Sequence, residues 1–557
     1  MILDIAMQEG FVNWLRTEKG YLIKRIEEEY EELKNTPLVL LSYSKFRRFF
    51  VDGERKIYEI DYFSNRKILT LCCLMAMLNP DNEEYLSRLQ DAIWTVCDEL
   101  TWVLPAHLHG DKSIEDNITR IDLFSAQTAT TLVSVLKILE NRLDERVKER
   151  IKYELERRII EPFGKRSFWW ETKENNWATV CGAGVGIVFM YLRPELFLNV
   201  KKKIDICMES FLRGYMSDGL CREGIDYWSF GFGNFCLYAE ELRQFTNGEC
   251  NYFLDEKIGK IAQYKQKMFM GRDRVVKVAD SFGTDVASTW LPYFLKSVYK
   301  EDITIYKPFI EFRVDKSLFD SVVSLIYYDE CMEEEYTQKD ESIYFDISAL
   351  YIKKTQKYSF VAKAGHNDEP HNHNDVGTFS FHNRDKEILC DIGVGYYNLR
   401  YWDDRRYGIF CTSSYSHNVP IIDGQGQKDG ISYAGSMSLC DGVISIEMAN
   451  AYEKGIAKSI KRNFEFKEEK IILTDIFNLE KGIDFTERFV TGLAVALEDG
   501  IVKIDNVSLL YDSEKFEVKI GEGIHKNRFG EHEKYNCIDF SPKNDGITVF
   551  EMTIEVN

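Results

Sequence analysis

Proline is scarce in this sequence, with only 10 residues among 557, and no low-complexity tract or long linker is present. Domains held on flexible tethers are therefore not expected. The chain is nevertheless too long for one ordinary hydrophobic core, so two or more domains that pack together are expected. No run of about 18 apolar residues occurs, so the sequence predicts no membrane-spanning helix.

Basic residues are also in deficit, and the net charge is -20. A general nucleic-acid-binding protein would show a basic face, so that class is not favoured. The first residues lack the apolar segment of a secretory signal, so a cytoplasmic location is expected, or a periplasmic or secreted one if a leader has been removed. The 13 cysteines form no CxxC pair, which favours reduced, mostly buried thiols.

The hydrophobic pattern changes along the chain. Apolar residues recur every three or four positions through much of the first half, as in Lys67 to Leu78 and Ala178 to Leu192. Repeated helical hairpins indicate an all-α solenoid or a closed α/α toroid, and the lack of a fixed-period repeat favours the toroid. Short alternating runs such as Val443 to Glu447 follow and predict an antiparallel sandwich or stacked sheets. We therefore predict a multidomain α+β protein with domains at 1–310 and 311–557.

Histidine is rare, with 9 residues in all, yet the segment 366–382 contains His366, His371, His373 and His382. Histidine is the commonest metal ligand and a frequent acid or base. A hairpin would carry Asp391, at the end of the apolar run KEILCD, back beside His373, and His417 follows in SSYSHN. His373, Asp391 and His417 are therefore a candidate metal site of two histidines and one carboxylate.

An overlapping set of residues forms an alternative candidate metal site. His371 and His373 are two positions apart and would share one face of a strand, which Asp375 would join if the strand continued. His373, Asp375 and His417 would then match the facial triad of non-haem iron oxygenases. Those enzymes use a double-stranded β-helix, in which a large helical half has no place, so this interpretation ranks second.

Three loops of the helical half are rich in residues that bind sugars, because aromatic rings stack on sugar rings and amides hydrogen-bond hydroxyl or carboxylate groups. They are TWVLPAHLHG with Trp102, His107 and His109, FWWETKENNW with Trp169, Asn175, Asn176 and Trp177, and SDGLCREGIDYWSFGFGN with Glu223, Asp226, Tyr227 and Trp228. The alternative is that the aromatic residues belong to the core between helices, and it stays open for Trp169 and Trp228.

Several of these motifs together resemble the heparinase II/III-like polysaccharide lyase superfamily. HNHNDVGTFSFH, ILCDIG and SSYSHN are similar to its β-domain signature, and WVLPAH, IDLFSAQTA, NNW and DGLCREGIDYW are similar to its toroid loops. The similarity extends from Trp102 to His417, most of the chain. It implies an incomplete α/α toroid followed by antiparallel sheets, and lyase activity on uronate-containing glycans, either glycosaminoglycans or alginate.

The resemblance also implies roles for individual residues. Tyr227 matches the catalytic tyrosine, and His371 matches the catalytic histidine. Asn176, or Asn175 in the alternative register, matches the residue that neutralises the uronate carboxylate. His373, Asp391 and His417 match ligands of a divalent metal, commonly Zn²⁺, with Mn²⁺ or Ca²⁺ as alternatives. We expect this metal to hold a loop of the β domain in place rather than to act in the reaction.

The chain departs from the family pattern at one point. Some relatives carry a histidine directly after the asparagine, whereas this chain has Trp177. It is therefore open which side chain assists the asparagine in binding the uronate carboxylate (the carboxylate clamp), and His107 is a candidate. The predicted substrate contacts are Trp102, Trp177, Glu223, Trp228, Tyr396, Arg400, Arg405 and Arg406. Pairing with Asp403 and Asp404 is the alternative for the arginines.

β-Elimination explains why these residue types are needed. The reaction removes the proton at C5, next to the uronate carboxylate, and expels the oxygen at C4. Hydrogen bonds to the carboxylate stabilise the charge that develops, while a base takes the proton and an acid protonates the leaving oxygen. Tyr227 is the candidate acid, and also the base where both atoms lie on one side. His371 is the candidate base for the opposite epimer, or the partner of Tyr227.

Two other functions stay open at this stage. A glycoside hydrolase of the α/α toroid type would use Glu223 and Asp226 as its paired carboxylates. A non-catalytic glycan-binding protein would need no acid or base, and the presence of Tyr227, His371 and Asn176 argues against it. In each case the expected partner is an anionic polysaccharide or oligosaccharide, with no nucleic acid and no membrane.

Overall fold

The computed structural model describes residues 1–557 except 109–112, 273, 285–288, 308–311 and 384–385. The chain forms two compact units, each made of three segments. The first contains Met1–Gly214, Tyr227–Ala262 and Val286–Glu335, and the second contains Tyr215–Asp226, Gln263–Asp285 and Tyr336–Asn557. No helix within the described residues combines the length and the apolar character needed to cross a lipid bilayer.

The first unit is built mainly of α-helices. They are Ile2–Ala6, Phe11–Glu18, Gly20–Leu33, Tyr43–Phe46, Arg48–Asp52, Lys56–Leu78, Glu83–Asp98, Ile114–Thr119, Leu123–Leu139, Glu145–Leu155, Glu161–Lys165, Asn176–Leu192, Pro194–Arg213, Ile225–Phe245, Glu256–Ala262, Leu291–Tyr299 and Leu318–Tyr327. Consecutive helices pack as hairpins, for example Lys56–Leu78 against Glu83–Asp98. A short parallel pair of strands, Ile305–Lys307 and Glu333–Glu335, completes this unit.

The helix Asn176–Leu192 lies at the centre of the first unit, and nearly all of its residues are buried. Glycines allow its neighbours to approach closely. A Cβ at Gly182 would lie 2.7 Å from the Cβ of Cys207 on the next helix, and a Cβ at Gly184 would lie 2.9 Å from the Cβ of Ala126 on an earlier helix. Both distances are too short for real carbon atoms, so this stacking of helices requires glycine at these two positions.

The second unit contains three larger antiparallel sheets among its described residues. In spatial order the five-stranded sheet is Lys386–Leu389, Phe379–Asn383, Tyr358–Lys363, Leu350–Lys354 and Glu341–Phe345. The four-stranded sheet is Ile421–Ile422, Phe485–Thr491, His532–Pro542 and Phe516–Lys526. The nine-stranded sheet is Val495–Glu498, Ile501–Ile504, Val507–Tyr511, Val549–Val556, Lys470–Leu479, Ala457–Phe466, Val443–Glu447, Gly430–Cys440 and Gly365–Asn367. A short hairpin of Phe269–Gly271 and Arg274–Val275 and the helix Tyr264–Met268 also belong to this unit.

The core of the second unit joins the three sheets. Alternate residues of strand Lys470–Leu479 are buried, as expected for a sheet with one face toward a core. The ring of Phe464 in the nine-stranded sheet lies 4.7 Å from that of Phe360 in the five-stranded sheet. Phe379 of the five-stranded sheet lies 5.8 Å from Phe489 of the four-stranded sheet. The inner faces therefore interdigitate as in stacked sheets.

The predicted order of a helical region followed by antiparallel sheets is confirmed. The strand Val443–Glu447 has the predicted bounds. The two units are not divided by a single cut at 310, because Gln263–Asp285 belongs with the sheets and Leu318–Tyr327 belongs with the helices. Hydrogen bonds explain the first of these assignments: the Lys277 Nζ, for example, donates to the Asp391 carbonyl over 2.8 Å.

Candidate functional site

Three buried side chains of the second unit bring metal-type donor atoms together. His373 precedes, and Asp391 follows, the antiparallel hairpin of Phe379–Asn383 and Lys386–Leu389. One donor atom from each of these residues and one from His417 lie within 4.8 Å of one another. The hairpin therefore returns Asp391 to His373 as the sequence predicts, and the rings of His373 and His417 are 5.2 Å apart.

The hydrogen bonds of the two histidines determine which nitrogen each one presents. Nε2 of His373 donates to Oδ1 of Asp280 over 3.0 Å, and Nε2 of His417 donates to the Cys411 carbonyl over 3.1 Å. Both Nδ1 atoms are buried without a well-formed hydrogen bond among the described residues, and that of His417 lies 3.4 Å from Oδ2 of Asp391. Two orphaned imidazole nitrogens beside a carboxylate suit a divalent metal, and bonds from Nε2 are those that orient such ligands. The residues present fit the metal that the resemblance implies.

The electrostatic surroundings of Asp391 suit a ligand that must be ionised. Burial alone would raise the pKa of the Asp391 carboxyl, but His417 and His373 outweigh it and hold that pKa well below its ordinary value. Burial lowers the pKa of His417, yet the Asp391 carboxylate raises it above its usual range. Lys277 Nζ lies 2.6 Å from Glu387 Oε2 as well as 2.8 Å from the Asp391 carbonyl, so the Asp391 backbone is held in place.

A carboxylate that the sequence analysis did not identify lies at the centre of this region. Asp280 is fully buried, and five side chains donate to its two oxygens. These donors are His373 and Tyr401 at Oδ1, and His371, Tyr397 and Arg406 at Oδ2. Burial alone would raise the pKa of Asp280, but the hydrogen bonds from the histidines and the charge of Arg406 hold it well below its ordinary value. Asp280 is 91 residues from His371 in the chain, so no local motif could have indicated it.

The predicted strand through His371 and His373 is not formed. His371 has a φ of 60°, in the left-handed region, and lies in a loop rather than in a strand. Non-glycine residues rarely adopt this conformation, and it is held here by neighbouring contacts. Nδ1 of His371 lies 2.9 Å from Asp280, while Nε2 lies 3.8 Å from Oε1 of Glu223, which is also buried.

Two asparagines begin the helix Asn176–Leu192 in the first unit. The side chain of Asn175 is the N-cap and accepts a hydrogen bond from the Trp177 backbone N–H over 3.2 Å. Asn175 therefore has a local role at the helix start. Asn176 follows at the first helical position and is only 3% exposed.

Asn176 packs against the helix that carries Tyr227. A Cβ at Gly231 would lie 3.2 Å from the Cβ of Asn176. Gly231 is one turn after Tyr227 in Ile225–Phe245, and residues four apart share one face of a helix. Asn176 is therefore packed on the face of this helix that carries the half-buried Tyr227.

His107 lies between an acidic residue and aromatic rings of the first unit. Its Nδ1 is 2.7 Å from Oδ2 of Asp122, whose other oxygen caps the helix Leu123–Leu139. The His107 ring stacks on Phe124 at 5.7 Å and meets the edge of Trp177 at 4.8 Å. Because a carboxylate can only accept, the imidazole carries a proton on Nδ1. His107 and Trp177 are thus brought together, as a shared carbohydrate site would require.

Two of the predicted substrate-binding aromatics are core residues instead. Trp102 is 1% exposed, and its indole N–H donates to the Val96 carbonyl over 2.9 Å. Trp228 is fully buried, and its indole N–H donates to the Ile261 carbonyl over 2.9 Å. Large apolar side chains with a satisfied N–H are typical of a core, so these residues have no surface to offer a sugar.

The three predicted substrate-binding arginines have different environments. Arg406 is buried and donates to Asp280 and to the Asn372 carbonyl. Arg405 is exposed and pairs with Asp403, which was the alternative to a substrate contact. Arg400 is exposed and donates to the Gly408 carbonyl over 2.9 Å. Tyr396, predicted with them, is half-buried, and its ring lies 4.2 Å from the Lys526 ammonium.

The alternative carboxylates have other partners. Asp375 pairs with Lys363 at 2.6 Å, and it is Asp391 that joins the two histidines. In the proposed hydrolase pair, Asp226 accepts a hydrogen bond from the Phe282 backbone N–H over 2.9 Å. His109, which the first sugar-type loop contains, lies outside the described residues.

Comparisons with known proteins place the fold. No protein-family model matches the sequence, and no curated protein matches it. Among solved structures, a heparan sulfate lyase HepC mutant from Pedobacter heparinus is similar with a TM-score of 0.62 and 12% identity, over 88% of this chain and 76% of that chain. Heparinase III is similar with a TM-score of 0.61 and 13% identity, over 88% of this chain and 76% of that chain.

A second kind of lyase has the same architecture. The Streptomyces coelicolor A3 chondroitin AC lyase in complex with chondroitin sulphate is similar with a TM-score of 0.54 and 8% identity, over 96% of this chain and 79% of that chain. The chain therefore has the α/α toroid and antiparallel-sheet fold of heparinase and chondroitin lyases. At these identities the likeness concerns the fold alone, since one fold hosts several activities.

Proposed function

We propose that this protein is a polysaccharide lyase that cleaves uronic-acid-containing glycans by β-elimination. The substrates proposed are glycosaminoglycans such as heparan sulfate, chondroitin or hyaluronan, or alginate. The observation that carries the proposal is the packing of Asn176 on the face of helix Ile225–Phe245 that carries Tyr227. A buried asparagine packed on the helix face that carries a tyrosine would supply a carboxylate clamp and a proton donor from two packed helices.

The proposed chemistry assigns one task to each side chain. Asn176 donates a hydrogen bond to the uronate carboxylate and stabilises the charge that develops when the C5 proton leaves. Tyr227 protonates the C4 oxygen as the C4–O bond breaks and the C4–C5 double bond forms. Either Tyr227 or His371 takes the C5 proton, according to the epimer. His107 is proposed to assist the carboxylate clamp, because it contacts Trp177, the residue next to Asn176.

A divalent metal is proposed at His373, Asp391 and His417, with Nδ1 of each histidine as the ligand atom. Two imidazoles and one carboxylate favour Zn²⁺ or Mn²⁺ over Ca²⁺, which prefers oxygen ligands. A bound metal would be held by the segments directly before and after the hairpin of Phe379–Asn383 and Lys386–Leu389, together with the segment of His417. Its proposed role is to hold the loop of His371 in place.

The test is an incubation of the purified protein with heparan sulfate, chondroitin sulfate, hyaluronan and alginate. β-Elimination creates an unsaturated uronate that absorbs ultraviolet light, whereas hydrolysis creates no chromophore. We expect absorbance to rise with at least one glycan. Tyr227→Phe should abolish the rise, because the variant lacks the phenolic proton and keeps the ring.

Tyr153→Phe is the matched control, since Tyr153 is 63% exposed on a helix of the same unit. It should retain full activity. Release of reducing ends without absorbance would instead favour a glycoside hydrolase. Binding of a glycan without either product would favour a non-catalytic binding protein, and both outcomes would overturn the lyase proposal.

A further inference from the structure

The two oxygens of Asp280 are divided between two histidines with different proposed tasks. Oδ2 lies 2.9 Å from Nδ1 of His371, and Oδ1 lies 3.0 Å from Nε2 of His373. Both bonds are formed by a side chain with no solvent exposure. An ionised carboxylate is only an acceptor, so each histidine must carry a proton on the nitrogen that faces it. His371 is therefore protonated on Nδ1 and His373 on Nε2.

These bonds direct the remaining nitrogen of each ring. For His373 the remaining atom is Nδ1, which belongs to the cluster with Asp391 and His417. For His371 it is Nε2, which points away from Asp280 and lies 3.8 Å from Oε1 of Glu223. One oxygen of Asp280 thus determines which nitrogen of His373 faces the proposed metal site, and the other oxygen orients the ring of His371, the proposed base.

The backbone around this contact is held in an uncommon conformation. Ala279, the residue before Asp280, has a φ of 54°, and His371 has a φ of 60°. A non-glycine residue in this region is strained and persists only where its surroundings determine the conformation. Hydrogen bonds from Tyr397, Tyr401 and Arg406 satisfy the rest of the Asp280 carboxylate. The network therefore fixes both ends of the His371–Asp280 bond.

We propose that Asp280 is a positioning residue that imposes opposite tautomers on His371 and His373 and so couples the metal site to the orientation of the His371 ring. The part that concerns His371 as a base rests on the proposed lyase function. The part that concerns tautomers and metal affinity does not. A purely structural buried carboxylate would support the fold without selecting a tautomer.

The test compares the full-length protein with Asp280→Asn. An asparagine keeps the size of the side chain but offers one oxygen, so it can accept from only one of the two histidines. Nitrogen-15 NMR of histidine-labelled protein should show His371 protonated on Nδ1 and His373 on Nε2 in the wild type, with signals assigned from single His→Gln variants. Asp280→Asn should change the tautomer of at least one of them.

Metal affinity gives a second measurement that is independent of activity. Competition with a chelator should show Zn²⁺ bound on the order of 10- to 100-fold more weakly by Asp280→Asn, as for other outer-shell partners of metal ligands. Asp475→Asn is the matched control, because Asp475 is also a fully buried carboxylate of the second unit, paired with Arg462. The control should lose stability but keep its Zn²⁺ affinity and its histidine tautomers.

The kinetic measurement separates positioning from binding. With an active glycan, Asp280→Asn should lower kcat by about 10- to 100-fold and leave KM within about twofold. If the wild type has no lyase activity, the proposed function fails while the NMR and metal measurements still decide the role of Asp280. Unchanged tautomers and unchanged Zn²⁺ affinity in Asp280→Asn would overturn the proposal. If that variant does not fold, identical tautomers for His371 and His373 in the wild type would overturn it.

Discussion

Gly231 of the helix Ile225–Phe245 packs so closely against Asn176 that a larger residue at this position would displace a neighbour. A Cβ at position 231 would lie 3.2 Å from the Cβ of Asn176 and 3.0 Å from the Phe211 ring. Asn176, the proposed carboxylate clamp, can therefore occupy its position because Gly231, one turn after Tyr227, has no side chain.

Gly231→Ala should displace Asn176 by a few tenths of an ångström, and Gly231→Val should displace it further. Misplacing a group that stabilises a transition state by about 1 Å costs on the order of 100-fold, so we expect kcat to fall moderately in the first variant and more in the second. Gly164→Ala is the control, since nothing lies within 4 Å of a Cβ there. Full activity of a folded Gly231→Val protein would contradict the assignment of Asn176.

Removal of the proposed metal should lower the free energy of unfolding. A ligand at 100 times its dissociation constant stabilises the folded state by about 2.7 kcal/mol, and that contribution disappears with a strong chelator. We expect the chelator to lower the Tm of the wild type, and Zn²⁺ to restore it. Asp391→Asn should have a low Tm that neither treatment changes. A wild-type Tm that is indifferent to both treatments would contradict the metal assignment.

Substitution of Arg462 should strongly lower the free energy of unfolding of the second unit. It is fully buried, pairs with Asp475 and Glu487, and donates to the carbonyl of Asn418, the residue after His417. Arg462→Met leaves the two carboxylates without their cation, and removal of one partner from a buried ion pair costs about 3–5 kcal/mol. Urea denaturation should show this loss.

The control for that experiment is Arg488→Met. Arg488 pairs with Asp539, but both side chains are about one-fifth exposed, with values of 19% and 22%. Ion pairs near the surface contribute about 0–1 kcal/mol, so the control should lose much less stability. Equal losses of unfolding free energy in the two variants would contradict the prediction that the buried ion pairs of Arg462 contribute more than the partly exposed pair of Arg488.

Glu241 should make the stability of the first unit depend on pH. Burial raises the pKa of its carboxyl from 4.5 to about 8. Oε1 accepts from the Ile2 N–H and the Tyr191 hydroxyl, whereas Oε2 is buried without a partner among the described residues. The folded-state pKa of Glu241 is above the unfolded one. The contribution of Glu241 to the free energy of unfolding is therefore fully present below pH 4.5 and is lost as the pH rises through 8.

Glu241→Gln should remove this pH dependence, because the amide stays neutral. Relative to the wild type, the free energy of unfolding of the variant should rise by up to about 5 kcal/mol between acidic pH and a pH above the raised pKa. Glu209→Gln, an exposed change on the helix Pro194–Arg213, should follow the wild type at every pH. A constant difference between Glu241→Gln and the wild type would contradict the raised pKa.

Periodicity predicted the elements whose burial is regular. Val443–Glu447 alternates and was found with its bounds, whereas Leu318–Tyr327 was missed because a short helix after the first strands carries no long periodic signal. The cluster of His373, Asp391 and His417 followed from one hairpin, which is a local feature. Asp280 could not be found in that way, since its partners come from distant segments and its own neighbours in the chain carry no motif.

Aromatic residues were the least predictable part of the site. Trp102 and Trp177 both lie in loop-like motifs, yet the first is in the core and the second contacts His107. The difference arises from tertiary packing, because an indole N–H that meets a carbonyl in the core can be buried without cost. The catalytic role of Tyr227 was predicted only through the family resemblance, and its fully buried neighbour Trp228 shows that the sequence around it favours burial as much as exposure.

The most direct test of the lyase account is the mass of the products formed in heavy-oxygen water from a defined uronate oligosaccharide. Elimination breaks the C4–O bond without adding water, so we predict an unsaturated fragment and a saturated fragment that together carry no heavy oxygen from the solvent at the cleaved bond. Incorporation of one heavy oxygen with fully saturated fragments would show hydrolysis and would contradict the account.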